Sequence, residues 1–268
     1  KSMKYSGTIL KMMNRFGNET VEYHLPVGDE LIDMNALLNK TIKLEYKGEM
    51  YCIGCGRKTN RSFFQGYCFP CLKTAPQTSP CILHPEKCEA HLGISRDMEW
   101  SKEHCLQNHI VYLAVSGGLK VGVTRRSQVP VRWIDQGAWK AIKLAQTPNR
   151  NAAGLLEVAL KKHFDDKTNW RKMLTNNLTT DIDLVEKKQT AWELAPDELK
   201  DYFIDDDQVI EITYPVIAYP DKVKSIGFDK QPVIEKKLMG IKGQYLIFED
   251  NTVLNIRKHN GYLIEFSF

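Results

Sequence analysis

The residues with the clearest chemistry are seven cysteines, all of which lie between Cys52 and Cys105. The first four form two CxxC pairs, Cys52-Ile-Gly-Cys55 and Cys68-Phe-Pro-Cys71, with 12 residues between the pairs. A CxxC turn directs two thiolates at one point, and two such turns complete the tetrahedron that Zn²⁺ prefers. We therefore predict a structural zinc site with no open coordination position, which contributes to folding rather than to catalysis.

A second group of cysteines and histidines follows within 29 residues: Cys81, His84, Cys88, His91, His104, Cys105 and His109. Its spacing matches no single knuckle pattern. We favour a second zinc site with the ligands Cys81, Cys88, Cys105 and His109, in which His91 or His104 can substitute. The alternative is that the cysteines are small buried hydrophobic residues and the histidines lie on the surface.

Compartment and charge give weaker indications. An odd number of cysteines without a secretory signal favours a reducing compartment, so we expect a cytoplasmic protein. No apolar run is long enough to span a membrane.

Charge is unevenly distributed along the chain. Residues 102–175 carry 13 Lys and Arg against 5 Asp and Glu, whereas residues 181–211 carry 3 Lys and Arg against 11 Asp and Glu. The basic stretch could concentrate phosphate, and the acidic stretch is typical of a solvated linker or of a cover for the basic surface.

The elements that must position these residues indicate an α+β protein. We divide its 268 residues into an N-terminal β segment (1–51), a Cys/His-rich zinc-ribbon block (52–108), a small β-β-α-α module (109–178), an acidic connecting segment (179–215) and a C-terminal β segment (216–268). The two terminal β segments are expected to form one sheet or one barrel-like domain. Asn260-Gly261 predicts a tight hairpin between the last two strands.

Four features follow one another in the 109–178 module: the tyrosine-bearing strand His109-Ile-Val-Tyr112, the motif Lys120-Val-Gly122 with Gly122 ten residues after Tyr112, Arg132 in the following helix and Glu157 in the next. In these features the module resembles the GIY-YIG nuclease superfamily, in the branch whose second motif reads Lys-Val-Gly. Lys120 stands where the second motif usually has tyrosine, and Ile110 where the first has glycine. The flanking segments resemble an uncharacterised bacterial family that carries such a module.

The resemblance implies one-metal hydrolysis of phosphodiester bonds. Glu157 would hold Mg²⁺ or Mn²⁺, and Arg132 would stabilise the charge that develops on the phosphate. Tyr112 or Lys120 would activate water. The neighbouring Arg125 and Arg126, with Arg132, would bind the nucleic-acid backbone.

Three functions follow from these residues. The first is a zinc-containing, metal-dependent endonuclease that acts on DNA or RNA. The second is a nucleic-acid-binding module that has lost activity, and the third is a zinc-stabilised structural or interaction protein. The oligomeric state is left open by the sequence.

Overall fold

The largest sheet of the protein joins strands from both ends of the chain. The structure is a computed structural model that describes residues 2–164, 169–178 and 180–268. Across the sheet the strands are β1 (Lys4–Thr8), β15 (Tyr262–Ser267), β5 (Thr41–Tyr51), β12 (Val233–Lys242), β13 (Tyr245–Phe248), β14 (Thr252–Asn255) and β11 (Lys224–Ile226), and β6 (Lys58–Thr59) pairs with β5. The expectation that the terminal β segments share one sheet is confirmed. The sheet is open, with edges at β1 and β11, so within the described residues it does not form a barrel.

Burial of alternate side chains explains the long strand β5. Ile42 and Leu44 are fully buried on its inner face, whereas Lys43 between them is more exposed. Leu44 lies opposite Ile234 of β12 and Phe266 of β15, and both partners are fully buried in the same core. The middle of the chain is therefore inserted between two strands of one continuous hydrophobic structure.

The Asn260-Gly261 hairpin is not present. Only Gly261 adopts a positive φ, of 84°, while Asn260 has a φ of −52°. A type I′ turn needs positive φ at both central positions. Within the described residues, β14 pairs with β13 and β11, whereas β15 pairs with β1 and β5, so these two strands lie apart in the sheet.

A second sheet of four strands carries the central module. Its order is β10 (Ile210–Glu211), β9 (Lys140–Thr147), β7 (His109–Val115) and β8 (Leu119–Arg125). The sequence pattern indicated β7 and β8 but not β9, so the β-β-α-α order is corrected to β-β-α-β-α. Strand β9 is buried on both faces, and its side chains therefore lack the polar alternation that reveals a half-exposed strand.

Strand β7 lies between two hydrophobic cores. Ile110, Tyr112 and Ala114 face the core shared with the large sheet. Val111 and Leu113 face the core formed with the module's helices. The module is thus packed against the large sheet through one face of β7.

Six α-helices and one further sheet complete the described part of the fold. The helices are α1 (Phe69–Thr74), α2 (Met98–His104), α3 (Val131–Asp135), α4 (Arg150–Lys161), α5 (Trp170–Leu174) and α6 (Leu184–Leu194), and the sheet contains β2 (Met13–Phe16), β3 (Val21–Val27) and β4 (Glu30–Asp33). Helix α6 lies in the acidic segment and buries Leu184 and Ala191 in the core of the module. Residue 179, the predicted start of that segment, lies outside the described residues. None of the described helices is long and apolar enough to cross a membrane.

Candidate metal centres and the cleft between them

The first candidate metal centre is the four-cysteine cluster, formed by Cys52, Cys55, Cys68 and Cys71. Their four sulfur atoms all lie within 4.8 Å of one another, and the Sγ atoms of Cys55 and Cys68 are 3.8 Å apart. A tetrahedral site with Zn–S bonds of ~2.3 Å requires sulfur–sulfur separations of about 3.8 Å. The predicted ligands are therefore brought together in a geometry that could hold zinc.

Local structure explains how two distant CxxC pairs meet. The first pair follows β5, which pairs back with β6, and the second begins α1, with Cys68 as its N-terminal cap. The amide of Gly54 donates to Cys52 Sγ at 3.4 Å. Burial alone would raise the pKa of the Cys52 thiol, but the backbone amides of Cys68, Cys55 and Gly54 outweigh burial and lower this pKa to about 6. Such a thiol is readily deprotonated, as a zinc ligand must be.

The second candidate metal centre is the three-cysteine cluster, formed by Cys81, Cys88 and Cys105. Cys81 lies in the 3₁₀ turn Pro80–Ile82, Cys88 directly follows the turn Pro85–Lys87, and Cys105 ends α2. Proline at the first position of a short helical turn fixes φ without sacrificing a hydrogen bond. The three sulfurs lie within 4.8 Å of one another and could also hold zinc.

Arg150, at the start of α4, connects this second cluster to the central module. Its Nη1 donates to Cys105 Sγ at 3.2 Å and to Cys81 Sγ at 3.4 Å, and its Nη2 donates to the carbonyl of His104 at 3.3 Å. The side chain is buried, so its charge is not dispersed by solvent. Sequence reasoning missed this residue because no short spacing links it to the cysteines.

The predicted histidine ligands occupy different environments. His91 is exposed, and His104 stacks on Trp100 with its Nδ1 2.8 Å from the carbonyl of Trp100. His109 is 1% exposed. Its ring nitrogens do not belong to the group of ligand atoms, all within 4.8 Å of one another, that the three cysteines form. Its Nδ1 lies 2.6 Å from the carbonyl of Gln107, and its Nε2 is buried without a hydrogen-bond partner among the described residues.

The ring of His109 is held in one protonation state. Burial lowers its pKa to about 4, so the ring is neutral at pH 7. Because Nδ1 faces a carbonyl, Nδ1 carries the proton and Nε2 offers a free lone pair. This is the state in which histidine binds metals, and its role as a ligand stays a prediction.

A cleft of about 950 Å³ separates the two cysteine clusters. One wall comes from the segment around the four-cysteine cluster and from the end of the large sheet, and the other from the three-cysteine cluster and the module. Five cationic side chains line the cleft: Lys11, Arg125, Arg132, Arg150 and Arg257. Of the predicted nucleic-acid-binding residues, Arg125 and Arg132 line this cleft, whereas Arg126 is exposed outside it.

None of the four arginines that line the cleft has a carboxylate partner among the described residues, and Arg150 contacts cysteine sulfurs instead. Across residues 2–164, 169–178 and 180–268, no Asp or Glu oxygen lies within 4.0 Å of Arg125, Arg132 or Arg257, although other ion pairs are present. Burial, and then Arg132, lower the pKa of Arg257; burial, and then Arg150, lower that of Arg125. Guanidinium groups that are partly desolvated and repel one another favour an anion between them.

Asp135, the acidic residue that lines the cleft, already has hydrogen-bond partners other than the arginines. Its carboxylate accepts hydrogen bonds from Lys11, from Asn14 Nδ2 at 2.8 Å and from Gln244 Nε2 at 2.8 Å. These partners belong to the N-terminal segment and the large sheet, while Asp135 ends α3. Asp135 thus fastens the module to the rest of the protein and leaves the neighbouring arginines unpaired.

The predicted catalytic residues meet only in part. Tyr112 is fully buried, its hydroxyl donates to Gln136 Oε1 at 2.9 Å, and the charge of Arg132 acts on the phenol. Burial raises the pKa of Tyr112 to about 12. Glycine is required at position 122, because a Cβ there would lie 2.5 Å from the Tyr112 hydroxyl.

Glu157 lies on α4, away from the cleft lining. It pairs with Lys161 at 3.5 Å, and burial raises its pKa against the lowering effect of Lys161. Lys120 and Glu86 also act electrostatically on Glu157, and Glu157 in turn acts on Tyr112. The four predicted residues are therefore electrostatic neighbours, but only Arg132 lines the cleft.

Comparison with known proteins assigns the chain to a family. It belongs to the family described as "Protein of unknown function (DUF2797)", whose model matches residues 39–264. The match spans both cysteine clusters and every arginine that lines the cleft. A search of curated proteins and a search of solved structures found no match.

Proposed function

We propose that this protein binds nucleic acid in the cleft between its two cysteine clusters. The observation that carries the proposal is the set of three partly buried guanidinium groups, Arg125, Arg132 and Arg257, that have no carboxylate partner among the described residues. A desolvated cation without a partner is costly, and a phosphate oxygen removes that cost through bidentate hydrogen bonds.

A polyanion suits the cleft better than a single small anion. The arginines are contributed by β8, by α3 and by the 3₁₀ turn Arg257–His259, so their charges are spread along the cleft. Successive phosphates of a nucleic-acid strand supply negative charges with a comparable spread. The resemblance of the module to phosphodiester-processing enzymes supports the same ligand class. Two zinc ions would hold the walls of the cleft in place.

Fluorescence anisotropy with labelled DNA and RNA oligonucleotides tests the proposal. Arg257→Ala and Arg125→Ala are each expected to weaken binding about 10-fold, and affinity is expected to fall at least about 10-fold between ~50 and ~200 mM salt. Arg126→Ala is the matched control, since it removes an adjacent arginine outside the cleft and should change affinity less than about twofold. Absence of binding by the wild type, or equal losses for Arg126→Ala and Arg125→Ala, would contradict the proposal.

A second candidate function is hydrolysis of the bound strand. It is favoured by the electrostatic interactions of Tyr112 with Arg132 and Glu157. The sequence resemblance groups these three residues in one site. Tyr112 interacts electrostatically with Arg132 and would help to orient the guanidinium toward a phosphate. Glu157, together with the nearby Glu86, offers the carboxylate oxygens that Mg²⁺ or Mn²⁺ prefers, and such an ion would stabilise charge on the leaving oxygen.

Cleavage assays separate the two candidates. If the protein is a nuclease, Glu157→Gln removes Mg²⁺- or Mn²⁺-dependent cleavage and leaves anisotropy with the oligonucleotide unchanged. Val158→Ala, an exposed neighbour on α4, is the control. Binding without cleavage in either metal would leave the protein as a binding module.

A further inference from the structure

A strained aromatic residue lies on one wall of the cleft. Phe64 has a φ of 49°, and the next residue, Gln65, has a φ of 58°. Left-handed backbone conformations are unfavourable for bulky side chains. Two in succession persist only where surrounding structure enforces them.

The four-cysteine cluster supplies that structure. The amide of Ile53, between the two ligands Cys52 and Cys55, donates to the carbonyl of Gly66 at 2.8 Å. Asn260 Nδ2 donates to the carbonyl of Gln65 at 2.9 Å, and the amide of Tyr67 donates to the carbonyl of Phe63 at 2.8 Å. The turn that carries Phe64 is therefore fixed between the metal centre and the large sheet.

Core packing does not account for a phenylalanine at this position. Phe64 is half-buried, belongs to none of the hydrophobic cores of the described residues, and meets the ring of Tyr67 at a centroid distance of 6.4 Å. Its side chain lines the cleft, as does that of Tyr67. Trp100 and His104, stacked at 4.0 Å, line the opposite wall. The cleft thus combines flat rings with unpaired arginines.

We infer that the cleft selects unpaired nucleotides, with a base stacked on Phe64 and the adjoining phosphates on Arg257 and Arg132. The inference rests on the proposed binding of nucleic acid and names its substrate class. Aromatic rings bind single strands because an unpaired base exposes its π-face, whereas the bases of a duplex stack on one another. A duplex would use the arginines alone.

The test measures anisotropy with a labelled oligothymidylate and an oligouridylate of about 12 nucleotides, and with the same labelled strands in a duplex. The wild type is expected to bind the single strands at least about fivefold more tightly. Phe64→Asn is expected to weaken single-strand binding about 10-fold and duplex binding less than about twofold. Because asparagine tolerates the left-handed conformation, this variant should melt at the wild-type temperature or above it.

Two further variants complete the test. Phe64→Tyr keeps the ring and should retain single-strand affinity within about twofold. Phe69→Ala removes an exposed aromatic residue of the same segment that does not line the cleft, and it should also leave affinity unchanged. Equal binding of single strand and duplex, or no loss in Phe64→Asn, overturns this inference while leaving the proposed function intact. Failure of the wild type to bind any strand overturns both.

Discussion

The two cysteine clusters differ in how much of the chain each one organises. The four-cysteine cluster is local, since its ligands lie within 20 residues on a hairpin and a short helix. The three-cysteine cluster reaches across to α4 through Arg150. A local cluster stabilises its own turn, whereas a cluster with a distant partner also determines where two parts of the protein lie. Four variants test this difference.

The largest effect is expected from Cys55→Ser. A serine hydroxyl is a poor zinc ligand, so one zinc per chain should be lost and the unfolding free energy should fall by at least about 5 kcal/mol. Elemental analysis and thermal melting measure the two effects. Ile53→Ala, between the ligands, should keep the metal. A zinc content that is the same in Cys55→Ser and in the wild type would mean that Cys55 is not a required zinc ligand.

A smaller effect is expected from Arg150→Gln. Removal of the guanidinium leaves the thiolates of Cys81 and Cys105 without their buried counter-charge, and stability should fall by about 3 kcal/mol. Zinc affinity at this cluster should fall about 10- to 100-fold. Competition with a chelator measures the affinity, and Arg150→Lys should recover part of it. Unchanged zinc affinity in Arg150→Gln would reduce Arg150 to a packing residue.

The contact between α4 and the second cluster is tested by Gly154→Ala. In an exposed helix this change stabilises by about 1 kcal/mol. Here the new Cβ would lie 2.1 Å from the amide nitrogen of Glu86 and 2.3 Å from the carbonyl carbon of Pro85. Because backbone must move, we expect destabilisation of about 2 kcal/mol by chemical denaturation. A stabilised variant would show that the cluster does not fix the position of α4.

The smallest effect is expected from His109→Gln. If Nε2 ligates the second zinc, the variant should lose about 10-fold in zinc affinity and about 1 kcal/mol of stability. Equilibrium titration of the purified protein with a chelator measures the zinc affinity. His91→Gln, at an exposed position, should behave as the wild type. Equal affinities for all three proteins would exclude His109 and His91 as ligands of the second zinc.

The contrast between contacts that are local in sequence and contacts with distant partners also explains which features could be predicted from the sequence. The CxxC pairs are visible because a knuckle is encoded by a two-residue spacing, and α4 because its apolar residues repeat with helical period. Arg150 and Arg257 were missed because their roles depend on partners that are distant in sequence. Strand β9 was not predicted because it is buried on both faces, so its sequence lacks the alternation of apolar and polar residues that identifies a half-exposed strand.

Other predictions were right in type and wrong in detail. The terminal segments share a sheet, as expected, but the Asn260-Gly261 pair does not form a hairpin. Tertiary structure decided its conformation, since the amide of Gly261 donates to the carbonyl of Ile9 at 2.8 Å. Tyr112 lies on the predicted strand, yet it is fully buried and its hydroxyl donates to Gln136.

The pairing of β5 has a consequence for how the chain acquires its structure. Val233 of β12 lies opposite Glu45, 188 positions earlier in the chain, and Phe266 of β15 lies opposite Leu44. During synthesis most of β5, apart from the two residues at its end that pair with β6, must therefore wait for its partner strands until nearly the whole described sequence has left the ribosome. A nascent chain that stalls before Val233 would display that strand as an open template for aggregation, even with both metal centres already loaded.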